Sequence, residues 1–87
     1  MRIEVTQDDI NRGIRHHTAQ CPIALAVRRT CPDAGSVRVS SVVALFRSGD
    51  SRAYCWGVLP LIAWQFIEAF DERHEGEPFA FDLEIIV

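Results

Sequence analysis

Leu59-Pro60-Leu61-Ile62-Ala63-Trp64-Gln65-Phe66-Ile67-Glu68-Ala69-Phe70 is the stretch on which the reading of the fold turns. Leu59, Ile62, Ala63, Phe66, Ile67 and Phe70 recur at three- and four-residue steps, the period of one helix face. The segment is therefore expected to be the central helix, with that stripe in the core. Pro60 suits its start, where a missing amide costs no intrahelical bond. Trp64 lies off the stripe, which makes it a candidate interface anchor, a large amphipathic ring outside the core.

Downstream, Gly76 and Pro78 break the chain. Phe79, Phe81, Leu83, Ile85 and Val87 then alternate with Ala80, Asp82, Glu84 and Ile86, as a terminal strand requires. Upstream, Arg52–Val58 reads as a strand with Ala53, Cys55 and Gly57 on one face and Tyr54, Trp56 and Val58 on the other. The aromatic face is expected to pack on a helix. Ser48-Gly49-Asp50-Ser51 is a hairpin turn, and the strand before it is long, with Val37, Val39, Val43 and Leu45 at alternate positions and Arg38 and Ser40 outward.

Cys21-Pro22 opens a helix that ends in Arg28 and Arg29, cations suited to a negative helix terminus. The turn cluster Cys31-Pro32-Asp33-Ala34-Gly35 closes it. Ile14–Gln20 reads as a polar loop. A shorter helix precedes it: the Thr6 hydroxyl can accept from the Asp9 amide, Asp8 and Asp9 suit the first turn, and Gly13 is expected to stop it as a left-handed cap. Ile3 and Val5 mark a first strand. The order β-α-α-β-β-α-β predicts a small α+β domain spanning residues 1–87, mainly an antiparallel sheet with helices packed on one face. The last strand can lie beside the first strand or beside the hairpin, and the sequence does not choose.

Eighty-seven residues, 48% of them hydrophobic, suffice for one core. No apolar run approaches the roughly 18 residues of a membrane span, and Met1 leads into a strand-like segment instead of a secretory signal, so a cytoplasmic protein is expected. Three Cys, an odd number without framework spacing, predict at least one free thiol and no disulfide scaffold. All nine basic residues are Arg, for which GC-rich coding is the ordinary explanation.

Charge is distributed unevenly. Residues 1–52 carry eight Arg against five acids, whereas residues 53–87 carry Arg73 alone against seven. Glu68, Asp71, Glu72, Glu75 and Glu77 form the densest part, a run that repels anionic partners and attracts basic ones. A solvated helix end is the ordinary reading of such a run. The density, five acids in ten residues, speaks for more. With Trp64, these acids are the candidate partner-binding residues.

No pattern of residues declares a catalyst, a cofactor or a metal. His16, His17, Cys21 and Cys31 have ligand chemistry but no paired Cys-x-x-Cys element, and a helix between the two Cys would hold them about 15 Å apart, too far to share an ion or a disulfide. Cys21 could gain thiolate character from the helix it precedes, with His16 or His17 near in sequence, yet buried Cys is commonly a small apolar residue. Arg28, Arg29, Arg38, Arg47 and Arg52 could compose a nucleic-acid patch. A net charge of −3 argues against direct nucleic-acid binding.

Cys21-Pro22-Ile23-Ala24-Leu25-Ala26 resembles a segment of small phage- and prophage-encoded proteins of high-GC bacteria. So do the opening Ile3-x-Val5-Thr6-x-x-Asp9-Ile10-x-x-Gly13, Leu59-Pro60, Phe66-Ile67-x-x-Phe70-Asp71 and Pro78-Phe79-x-Phe81-x-Leu83. These positions are mostly core, caps and turns, and the apolar hairpin from Val37 to Gly57 departs from the pattern. The resemblance implies a non-enzymatic phage protein that binds a host protein or ribonucleoprotein in the bacterial cytoplasm, as anti-CRISPR inhibitors do, with its acidic lobe on a basic surface. The alternative is a phage structural or assembly component working by self-association. If Val42, Ala44, Phe46 and Tyr54 form an exposed apolar face, the 37–58 hairpin would serve as the surface of a homodimer.

Overall fold

A computed structural model describes residues 1–31, 37–40, 43–47, 54–73 and 75–86. The hairpin turn expected at 48–51 and the turn cluster at 32–35 lie outside them, as do the side chains of Ala44, Phe46 and Tyr54 and the whole of Val42. The elements are β1 (Arg2–Val5), α1 (Gln7–Arg12), α2 (Pro22–Thr30), β2 (Val37–Val39), β3 (Val43–Arg47), β4 (Tyr54–Val58), α3 (Leu61–Arg73), β5 (Phe79–Asp82) and β6 (Glu84–Ile86). This is the α+β order expected from the sequence, and every strand pair is antiparallel.

Two expected strands are each divided in two. The stretch from Val37 to Arg47 doubles back, so that β2 pairs with β3 in the register Val37↔Phe46 and Val39↔Ala44. The terminal stretch forks at Leu83: β5 pairs with β1 through Arg2↔Asp82 and Val5↔Phe79, while β6 pairs with β4 through Trp56↔Ile86 and Val58↔Glu84. The last strand thus lies beside both candidate neighbours. A two-stranded sheet β1-β5 and a four-stranded sheet β2-β3-β4-β6 result. At the fork the Leu83 amide donates to the Met1 carbonyl (2.7 Å) and the Met1 amino group to the Leu83 carbonyl (3.0 Å), so both polar groups of the buried junction are satisfied.

Alternation puts Ile3, Val5, Val37, Val39, Phe81 and Leu83 on inner faces, all nearly or fully buried. Ile23, Ala24, Ala26 and Val27 of α2 pack into the same core, and α2 lies against β1, β2 and α1. From α3 come Ala63, Phe66 and Phe70, with Phe66 against Phe79 of β5 at a ring-centroid distance of 4.9 Å. Leu59 is also buried, just before the helix, but Ile62 is 51% exposed. Ile62 lies about 100° around the axis from Ala63, at the solvent edge of the buried stripe.

The expected packing of the aromatic face of β4 is reversed. Trp56 and Val58 are exposed and Gly57 is buried. The cause is at position 57: a Cβ there would stand 2.6 Å from Leu83 Cγ, so the inward space is filled by Leu83 and the alternation turns Trp56 and Val58 outward.

Thr6 caps α1 as expected. The Asp9 amide donates to its hydroxyl (3.2 Å) and the Thr6 amide returns to Asp9 Oδ2 (2.8 Å), a capping box with Asp in place of Glu. Gly13 stops the helix in an extended conformation and not in the left-handed one (φ −64°, ψ 145°). Its lack of a side chain answers a different need, since a Cβ would come within 2.5 Å of the Pro22 ring.

Candidate functional site

The loop between α1 and α2 crosses the C-terminal end of α3. The last carbonyls of any helix lack intrahelical partners. Here Arg15 satisfies two of them, Nε donating to the Asp71 carbonyl (2.8 Å) and Nη2 to the Glu72 carbonyl (3.0 Å), which also sets a cation at the negative helix end. The next residue, His16, adopts a left-handed backbone (φ 56°), the sole non-glycine residue with positive φ among the described residues. Its amide donates to Asp71 Oδ1 (3.0 Å), and its Nδ1 lies 3.8 Å from Asp71 Oδ2. A residue held in a sparsely populated backbone region needs such an anchor.

Two clefts adjoin at this junction. One, of about 270 Å³, is bordered by His16, His17, Cys21, Val39 and Asp71. The other, of about 180 Å³, runs along α3 between His16, Trp64, Ile67, Glu68, Asp71 and Glu72. His16, Ile67 and Asp71 border both clefts, and the one along α3 is a groove with an apolar wall, Trp64 and Ile67, and a carboxylate rim. Trp64, Ile67, Glu68 and Asp71 stand at i, i+3, i+4 and i+7, which is one side of a helix. That spacing is legible in the sequence, but Ile67 also fits the period of the core stripe, in which it is only partly buried.

Of the acidic residues singled out by sequence, Glu68 and Glu72 stand exposed on α3, and Glu75 and Glu77 stand exposed in the segment after it. Asp71 differs: it is partly buried and committed to the His16 amide, so it shapes the groove more than it faces solvent. Trp64 is half-buried at the rim. An indole face beside carboxylates can seat a cation on an apolar stem, the chemistry of an Arg or Lys side chain from another protein. Arg15 and His16 were not among the expected partner-binding residues. No local pattern marks them, because their partners are more than fifty residues away along the chain.

Cys21 borders the larger cleft, near His16 and His17. Burial pushes its thiol above the usual range; the amides of Ala24 and Ile23 at the start of α2 pull the other way, and the charge of Asp71 adds to the rise. Net suppression of the thiolate is the reverse of what activates a nucleophilic Cys. Among the described residues, no three or more His, Cys, Asp or Glu side chains gather as a metal site. The basic residues considered for a nucleic-acid patch are partly spent within the fold: Arg28 Nη2 donates to the Ala19 carbonyl (2.6 Å), and Arg29 to the Glu4 carbonyl and the Asp9 carboxylate. Arg52 and the side chain of Arg47 lie outside the described residues.

Among the described residues, no helix is long and apolar enough to cross a membrane. No protein-family model matches the chain, and neither a curated protein nor a solved structure matches it.

Proposed function

We propose that the chain acts by binding and not by catalysis, as an inhibitor that lays the acidic side of α3 on a basic surface of a nucleic-acid machine. One observation carries the reading. Glu68 and Glu72 are exposed on the rim of a groove walled by Trp64 and Ile67, Glu75 and Glu77 are exposed in the segment that follows α3, and none of the four pairs with a cation among the described residues. Such carboxylates are available to Arg or Lys groups that would otherwise hold nucleic acid, and opposite charge across the interface accelerates encounter.

The likeness of the core and cap segments to small phage proteins supplies the finer reading: a phage-encoded, anti-CRISPR-like inhibitor of a host defence ribonucleoprotein, at work in the bacterial cytoplasm, with no affinity of its own for DNA or RNA. The test is charge reversal at Glu72 and Glu75, both solvent-facing. The double variant Glu72→Lys, Glu75→Lys should keep the melting temperature of the parent and lose capture of the partner from host lysate. Binding by the parent should weaken as salt rises, because charges in solvent are screened over about 8–10 Å near physiological ionic strength. A double variant that still captures the same partner, or a parent that retards nucleic acid on its own, removes the proposal.

A further inference from the structure

The outer face of the four-stranded sheet has an apolar centre and opposite charges on its two edges. Trp56 is 41% and Val58 39% exposed, on β4, an interior strand of the sheet. Register runs a row from edge to edge through Arg38, Leu45, Trp56 and Ile86, and the next row on the same face, two residues along, through Val43, Val58 and Glu84. Arg38 on β2 and Glu84 on β6 are both exposed, on the same side of the sheet as Trp56 and Val58, since directly paired residues share a face. Three strand spacings, about 14 Å, separate the two edges, too far for an ion pair within one chain. Neither residue makes an ion pair among the described residues.

We infer that this face is the interface of a homodimer, in which two sheets stack about a two-fold axis parallel to the strands. Charge selects both the partner and the axis. Rotation about an axis along the strands lays β2 of one copy over β6 of the other, so each Arg38 approaches the opposite Glu84 and Trp56 is covered. Rotation about an axis across the strands would lay β2 on β2, Arg38 on Arg38. Glu84 is offset by two residues, about 7 Å, along its strand from the row of Arg38, a distance that an extended Arg and a Glu bridge between them. A second copy of the chain carries both complements of this pattern by symmetry. The groove beside α3 shares no residue with this face, so the two surfaces can be occupied together and fail separately.

The test is sedimentation equilibrium of the full chain over a hundredfold range of concentration. The parent should pass from monomer to dimer. Arg38→Glu and Glu84→Arg each place like charges at both contacts and should weaken the dimer roughly tenfold or more. The double variant Arg38→Glu, Glu84→Arg should restore it, a result that mere damage to the fold cannot give. Trp56→Glu, at an exposed position, should abolish dimer while the far-ultraviolet spectrum stays that of the parent. A parent that stays monomeric at every concentration overturns the inference and leaves the face to a different macromolecule. A double variant no better than the single ones overturns the axis and the pairing.

Discussion

Asp9 and Arg29 join the start of α1 to the end of α2. The Asp9 carboxylate is nearly buried; Oδ2 accepts the Thr6 amide and Oδ1 the Arg29 guanidinium, whose other nitrogen reaches the Glu4 carbonyl at 2.6 Å. Burial by itself would raise the Asp9 carboxyl, but the bonds from Arg29 and Thr6 outweigh it and hold the group below its usual range. A depressed carboxyl stabilises the fold above its unfolded value, about pH 4, and that contribution is lost as pH falls through the folded value. Arg29→Ala should therefore move the acid-unfolding midpoint to higher pH. At neutral pH it should cost about 2–3 kcal/mol in urea denaturation, less than the removal of a partner from a fully buried pair because Arg29 is half-exposed and Thr6 still holds the carboxylate. An unchanged acid midpoint would show that the pair is not what holds Asp9 ionised.

Phe66 is the packing centre of α3, set against Phe70 and Phe79. Phe66→Ala should destabilise the domain by about 3–5 kcal/mol. In a chain of this size that corresponds to a fall in Tm of more than about 10 °C by calorimetry. A variant that melts with the parent would mean that the helix presents a different face to the core.

Gly57 and Leu83 exclude one another's growth. A Cβ at position 57 would meet Leu83 Cγ at 2.6 Å and the Glu84 carbonyl at 3.0 Å, and Leu83 is fully buried. Gly57→Ala should cost about 1–3 kcal/mol through overpacking. Combined with Leu83→Ala it should cost less than the two separate losses added, and a double-mutant cycle by chemical denaturation measures that coupling. Strict additivity would place the clash elsewhere.

Cys21 is buried and its thiol is held protonated, whereas Cys31 is half-exposed. Under a mild alkylating reagent at neutral pH, peptide mapping should find Cys31 modified well before Cys21, and Cys21 slower than free cysteine. Faster reaction at Cys21 would revive a catalytic reading of the cleft beside it.

Element order, the Thr6 cap and most of the core could be read from the sequence because each depends on neighbours within one turn or one strand. Ala63, Phe66 and Phe70 declare their face by spacing alone. Three features could not. The stretch from Val37 to Arg47 alternates as one strand, and nothing in alternation reveals that it folds back. Trp56 and Val58 have the chemistry of core residues, and only the approach of Leu83 to Gly57 decides that they face out. The docking of Arg15 and His16 on the end of α3 joins groups distant along the chain, a relationship no local pattern encodes.

The pairing of β1 with β5 also bears on how the chain is made. Arg2 meets Asp82, so the first strand is synthesised some eighty residues before its partner leaves the ribosome, an interval of roughly 4–16 s at ordinary elongation rates. Ladders of such high contact order close late and slowly. The α1–α2 segment, joined by Asp9 and Arg29 only twenty residues apart, can form early, and α2 packs directly on β1. Nascent β1 thus has its apolar side, Ile3 and Val5, covered by the following helices while its hydrogen-bonding edge still waits for β5, an order of events that removes the greasy face first and leaves only the backbone edge open.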